Sequence, residues 1–340
     1  MGDYRAYATA CLEALQRWYN WHSGLWATTG WWNAANAIYA IADYSSLMQT
    51  DRYLPVIVNT FAKNRRENFL NRYYDDEGWW GLAWLRVYDL TGEDHYLQMA
   101  ERLFADMCGG WDDVCGGGIW WRKDRDYKNA IPNELFLSLA AHLYRRTRID
   151  DYLTRATVAW RWFLDSGMQN EQYLINDGLR NCQNNGGITW TYNQGVILGA
   201  LAEMFLCTAE RATSAQGEIQ YLIDASNIAS AVLATLVDAN GILLEPLPPG
   251  SKDENPPQFK GIFMQNLASF YHVAANITGL PFACEPYRQF IMRNADALWQ
   301  HARTPHHTFG FHWSRRPDRE DATRQISALM AFNAALPFSS

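Results

Sequence analysis

The chain has no long apolar run: its most apolar stretch, Gly195 to Cys207, is short and carries Glu203, which argues against membrane insertion. It has no basic stripe either. Its 29 Lys and Arg are scattered among 36 Asp and Glu, for a net charge of −7, so neither nucleic acid nor an anionic membrane surface is an expected partner. Cysteine is sparse. Only Cys108 and Cys115 of the six (Cys11, Cys108, Cys115, Cys182, Cys207, Cys284) are close together, and no histidine pair stands at ligand spacing beside them. The expectation is buried free thiols rather than disulfides, with no metal site and no cofactor. His306, His307 and His312 cluster without a Cys or carboxylate partner and read as a late loop over a cleft. No basic-then-apolar leader precedes the first helical pattern. The chain as written is therefore expected to be cytoplasmic, or secreted if a leader was trimmed; the sequon Asn276-Ile277-Thr278 is too weak to decide. Linker-like stretches are missing as well, and a monomer with one domain spanning residues 1–340 is expected.

Strand signals are almost absent, and helical periodicity fills the gap. Tyr96, Leu97, Ala100, Leu103, Phe104 and Met107 form one stripe that Gly109 and Gly110 end, and Leu153, Ala156, Trp160, Phe163 and Leu164 form another that stops at Gly167. Such helices share an opening: Thr91 to Leu97 matches Thr147 to Leu153 at Thr, Asp, Tyr and Leu, Asp51 to Leu54 keeps Asp-x-Tyr-Leu, and Tyr221-Leu222 is a weaker fourth. Between them lie six helices that are apolar nearly all round: Trp32 to Tyr44, Gly78 to Leu90, Pro132 to Tyr144, Gln194 to Leu206, Ile262 to Val273 and Ile326 to Leu336. A helix without a polar face must be covered on most sides, whereas a one-striped helix sits outside. The alternation predicts an all-α (α/α)6 barrel, six inner helices within six outer ones. An open α-solenoid is the alternative, but its repeats would be shorter and more uniform.

Polar and aromatic residues gather just before each inner helix, and a closed ring would bring these segments to one end as a funnel fit for sugar hydroxyls. Aromatic content is high, with 16 Trp, 18 Tyr and 15 Phe, and Trp is doubled at Trp31-Trp32, Trp79-Trp80 and Trp120-Trp121. Within one such segment stand the adjacent carboxylates Asp75 and Asp76, in Tyr74-Asp75-Asp76-Glu77-Gly78-Trp79-Trp80. Glycosidic bonds are broken by a carboxyl pair, and carboxyls about 5 Å apart fit a retaining mechanism. So close a pair does not ionise twice cheaply, and one member is expected to hold its proton near neutrality. The alternative is favourable charge at a helix start, which needs no catalysis. Asp112-Asp113 before Gly116-Gly117-Gly118 is a second acidic pair, best read as Asx turns, with the glycines letting backbone pass near a ligand and Trp120 and Trp121 offering a stacking platform. Phe309 would roof a subsite; Glu134 and Glu245 are spare acids.

Tyr74-Asp75-Asp76-x-x-Trp79-Trp80-x-Leu82-Ala83, Cys115 to Trp121, Lys128-Asn129-x-x-x-Asn133-Glu134 and Thr189 to Gly195 together resemble glycoside hydrolase family 76, in the right order over most of the chain. The resemblance implies an (α/α)6 barrel, a retaining mechanism, endo-action on α-1,6-linked mannan, and Asp75 as nucleophile with Asp76 as acid/base. A mannose-containing oligo- or polysaccharide is then the expected partner. It would be held by Trp32, Asn33, Tyr74, Trp79, Trp80, Trp120, Trp121, Lys128, Asn129, Asn133, Tyr192, Asn193, Gln194, Phe259 and Phe309. The family also includes fungal wall proteins thought to act as transglycosidases. Rival readings are a non-catalytic glycan-binding protein and, on the same barrel, a sugar epimerase or unsaturated-uronide hydrolase. An epimerase would place histidines on inner helices, and of eight only His142 lies in one.

Overall fold

The computed structural model describes residues 2–211, 218–248 and 250–339. Twelve α-helices make up the body among these residues. The inner helices are α2 (Trp31–Met48), α4 (Tyr74–Thr91), α6 (Ala130–Thr147), α8 (Thr191–Arg211), α10 (Pro256–Ala274) and α12 (Ala322–Ala335). The outer ones are α1 (Tyr4–Leu15), α3 (Leu54–Asn64), α5 (Asp94–Cys108), α7 (Asp150–Asp165), α9 (Ile219–Thr235) and α11 (Glu285–His301). Each inner helix packs on the next, and α12 returns to α2, so the ring is closed: an (α/α)6 toroid, not an open solenoid. The first helix, α1, supplies the outer partner of the last inner helix. There the Gln325 amide donates to the Cys11 carbonyl at 2.8 Å, and the Asn333 amide of α12 donates to the Ala40 carbonyl of α2 at 2.8 Å.

Burial follows the two sequence patterns. All fourteen residues of α12 are buried, whereas α5 buries Tyr96, Met99, Ala100, Leu103, Phe104 and Met107 on one stripe. Leu164, placed on the α7 stripe by its spacing, is 43% exposed instead. Adjacent inner helices approach closely because small residues stand at their crossings. A Cβ on Gly195 of α8 would lie 2.6 Å from the Phe263 Cα of α10, and one on Gly261 of α10 would overlap the Ser327 backbone of α12. A glycine in a helix interior costs about 1 kcal/mol relative to alanine, and here close packing offsets that cost.

Glu203 in the apolar stretch of α8 lies towards the C-terminal end of that helix. Burial opposes its charge, yet His142, Arg145 and Arg146 of α6 hold it down at about 2. The cysteine expectation is corrected: Cys115, in the loop after α5, is bonded to Cys182, in the hairpin after α7. The two stand 67 residues apart in sequence but 4.9 Å apart at Cα, a neighbourhood that spacing does not reveal. Cys11, Cys108, Cys207 and Cys284 are free thiols.

Gly261→Ala tests the ring contact. It is expected to cost about 1–3 kcal/mol of stability, as for an overpacked backbone contact, read as a lower urea midpoint at unchanged slope. A substitution without effect would mean that α10 and α12 are free to move apart.

Candidate active site

The inner-helix N-termini converge on a cleft of about 550 Å³, and five of the six contribute to its lining. Trp32 comes from α2, Asp75, Asp76 and Trp79 from α4, Tyr192 from α8 and Phe259 from α10. Tyr73, Asn129, Trp190 and Asn255 line it from the positions just before α4, α6, α8 and α10. Trp121, Tyr127, Asp177 and Asp253 complete the wall from longer loops. The sixth N-terminus, that of α12, is closed by Arg324, which pairs with Asp318 at 2.7 Å and Asp321 at 2.5 Å. A larger groove of about 820 Å³ runs along α11, but no Trp, Tyr or Phe lines it and it holds no adjacent acid pair.

Helix α4 starts because the extended Tyr73 precedes it and Asn71 organises the turn. The Asn71 side chain accepts the Tyr73 N–H at 2.7 Å and donates to Asp76 Oδ2 at 2.5 Å. Neither aspartate is the N-cap, so simple capping does not account for the pair. Asp75 Oδ2 accepts the Trp121 indole N–H at 3.0 Å, while Oδ1 is buried without a partner. Burial first, and then the neighbouring charge of Asp76, pushes the Asp75 carboxyl well above the usual range; the Trp121 indole and first-turn N–H groups oppose this. Burial also raises Asp76, to about 6, against the pull of Asn71. Such a pair shares one proton near neutrality and titrates as a unit.

The rest of the cleft is aromatic and acidic. Tyr192 and Phe259 stack with centroids 3.8 Å apart and planes 6° apart; Trp79 lies 6.4 Å from Tyr192, and Trp32 lies 5.7 Å from Trp79. The Trp32 indole donates to Asn255 Oδ1 at 3.0 Å. Asp177 accepts the Tyr127 hydroxyl at 2.6 Å, and burial raises its carboxyl against that bond and one from Trp190. Four aspartates and no Lys, Arg or His line the cleft, which therefore suits a neutral polyol with flat apolar faces. Among the described residues no group of three His, Cys, Asp or Glu is arranged to hold a metal.

Of the residues named from sequence, Trp32, Asp75, Asp76, Trp79, Trp121, Asn129, Tyr192 and Phe259 line the cleft. The others stand behind it. Trp80 is fully buried among Trp31, Phe69 and Trp84, and Phe309 is fully buried against Trp299 and Phe332, so neither offers a face to a sugar. The loop of Phe309 does not roof the cleft; His307 stacks on Trp299 of the outer helix α11. Lys128 is buried and donates to Asp112 Oδ1 and to the carbonyls of Val114 and Gly117, holding the glycine loop. The Trp120 indole donates to Asp112 at 2.7 Å, and Asp112 Oδ1 accepts the Val114 N–H, the Asx turn expected for it. Gly118 meets the ring of Trp162, not a ligand.

Four further residues are taken up by local packing. Asn133 pairs with the Ile119 backbone and Gln194 with that of Ile175. Asn33 accepts the Gly30 N–H, and Tyr74 is buried under the Lys123 ammonium. Asn193 is fully buried, with both side-chain polar atoms unpartnered. Of the spare acids, Glu134 is buried without a partner, whereas Glu245 accepts the Thr191 N–H at the start of α8 and burial raises it to about 8. His142 sits by Glu203, away from the dyad.

Tyr127 and Trp190 belong to the polar and aromatic segments before the inner helices, whereas Tyr73, Asp177, Asp253 and Asn255 were not singled out from sequence as cleft residues. Tyr73, Tyr127 and Trp190 adjoin residues named above, and the polar segments before the inner helices were the available signal. Asp177 and Asp253 lie in loops whose local sequence carries none.

A profile of glycosyl hydrolase family 76 matches residues 5–339. A mannan endo-1,6-α-mannosidase of Candida albicans is 29% identical over 205 residues, 53% of this chain and 45% of that protein. One of Saccharomyces cerevisiae is 29% identical over 203 residues, 52% and 44% respectively. The chain thus matches less than half the length of these relatives. Among solved structures, an α-1,6-mannanase of Salegentibacter superimposes with TM-score 0.86 at 25% identity, over 98% of this chain and 99% of that one. The same mannanase has been solved with α-1,6-mannotetrose as an inactive variant with two aspartates of consecutive number replaced by alanine; it is 24% identical to this chain, with TM-score 0.86 over 99% of each. With the family profile covering nearly the whole chain, this protein belongs to glycosyl hydrolase family 76.

Proposed function

We propose that the protein is a retaining glycoside hydrolase that cleaves within α-1,6-linked mannose chains. The observation that carries this reading is the pair of adjacent, desolvated carboxyls in the lining of an aromatic, cation-free cleft. The names of its relatives support the linkage, and the inactive variant with paired aspartate replacements supports the dyad.

In this mechanism Asp75 attacks the anomeric carbon and forms a glycosyl ester, while Asp76 gives its proton to the departing oxygen. Asp76 then takes a proton from water, the water oxygen attacks the anomeric carbon, and Asp75 leaves as carboxylate. Trp32, Trp79, Tyr192 and Phe259 supply faces for sugar C–H groups, and Asn129 and Asp177 supply polar contacts for hydroxyls. The proton must be on Asp76 and the negative charge on Asp75 when the sugar is seated; burial raises both carboxyls, and substitution separates the two assignments.

Incubation with linear α-1,6-mannan followed by product sizing is the direct test. Shortened chains are expected; lengthened chains would identify transfer to a second sugar, and unchanged mannan would leave a glycan-binding role. Asp76→Asn should lower turnover of mannan by about 10²–10⁴-fold. With an activated aryl mannoside, which needs little protonation of its leaving group, Asp76→Asn should still form the covalent intermediate and Asp75→Asn should not. The reverse pattern would exchange the two roles.

Stability should move the other way. A carboxyl raised on folding stabilises most below its unfolded value near 4, and that contribution is lost as pH rises through its folded value, about 6 for Asp76. Relative to wild type, Asp76→Asn should therefore melt higher at pH 7.5 and nearly the same at pH 4. Thermal unfolding at the two pH values checks this, and equal differences at both would mean that Asp76 is not desolvated.

A further inference from the structure

Glu77 directly follows the dyad, but a helical step of about 100° turns it away from the cleft, and its side chain is fully buried. There the Lys123 ammonium lies 2.8 Å from Glu77 Oε1 and 2.7 Å from Asp106 Oδ2 on α5. Lys123 belongs to the strand-like segment that carries Trp121. The Lys123 N–H donates to the Arg72 carbonyl and the Tyr74 N–H to the Trp121 carbonyl, each at 3.0 Å, so residues 121–123 run beside residues 72–74. The neighbouring pairs Arg72–Asp124 and Arg122–Asp126 are more exposed, whereas Lys123 meets a carboxyl with no access to water. A short ammonium contact to a desolvated carboxyl holds geometry better than an exposed ion pair.

We propose that Lys123, clamped between Glu77 and Asp106, is a positioning residue that holds Trp121 in register so that its indole N–H meets Asp75 Oδ2. The inference rests on Asp75 being a reacting carboxyl. The indole bond favours the anion on Asp75, the form needed for attack, against the burial and the Asp76 charge that oppose it. The titratable groups that line the cleft with Asp75 are Asp76 on its own helix, Tyr192 on α8, and Tyr73, Tyr127, Asp177 and Asp253 in the cleft wall. Around Lys123 stand Glu77, Asp106, the Tyr74 ring and, further out, Arg125. Replacing Lys123 leaves all of these side chains in place. Burial already pushes Glu77 up to about 8, so losing the ammonium leaves a neutral acid there rather than a buried charge, and Lys123→Met should fold.

The test follows the Asp75 carboxyl by NMR in protein labelled at aspartate, assigned with Asp75→Asn, together with pH profiles of turnover. Lys123→Met should raise the Asp75 titration by about one pH unit, lower kcat about tenfold and leave KM within about twofold. Lys123→Arg should behave as wild type. In a Trp121→Phe background, where the indole donor is gone, Lys123→Met should add no further shift, whereas a direct charge effect of the lysine would persist. An unmoved Asp75 titration in Lys123→Met, or a shift that survives in Trp121→Phe, overturns the proposal. If Lys123→Met does not fold, Asp106→Asn, which removes one arm of the clamp, should give a smaller shift of the same sign, and no shift there overturns it. A wild-type protein inert on mannan whose Asp75 titration still moves with Lys123 would refute the proposed activity and leave the positioning role standing.

Discussion

The ring closes because six helices with almost no polar face bury one another, and this constraint underlies everything at the cleft. Gly195 against Phe263 and Gly261 against Ser327 let the helices approach until backbone meets backbone. One-striped helices then cover the outside, each hiding only the stripe it has. Once the ring is closed, five inner N-termini point into one volume whether or not their residues bind anything. The free N–H groups and positive dipole ends gathered there suit carboxylates, so an acidic pair in the first turn of α4 is favourable in one respect and desolvated in another.

That conflict sets the protonation of the pair. Burial raises both carboxyls, the nearness of Asp76 raises Asp75 further, and one side-chain donor reaches each: Trp121 for Asp75 and Asn71 for Asp76. The site holds a proton that water-exposed aspartates would have lost. Folding retains this costly arrangement because the ring around it is well packed, a common relation between stability and active sites.

The long loop after α5 shows how much of the chain serves position rather than contact. Lys128 gathers Asp112, Val114 and Gly117, the bond between Cys115 and Cys182 fastens the same loop to the hairpin after α7, and Asn133 holds Ile119. Of the whole segment from Asp112 to Lys128, only Trp121 and Tyr127 line the cleft. Motif residues that looked like ligands in sequence are, in this loop, mostly its supports.

Periodicity alone determined the alternation of inner and outer helices, and with it the toroid, because a helix must bury whatever apolar face its sequence gives it. The acidic pair, too, was legible, since adjacency in sequence is adjacency in space within a turn. Which neighbour faces the axis was not legible. Successive helical residues differ by about 100°, so Trp79 reaches the cleft while Trp80 enters the core, and Tyr192 reaches it while Asn193 and Gln194 do not. That choice depends on the rotation of each helix in the ring, which packing sets. Contacts between loops were hidden for the same reason: Asp177 beside Tyr127, Trp121 on Asp75, and Cys115 bonded to Cys182 join segments that only the closed ring brings together.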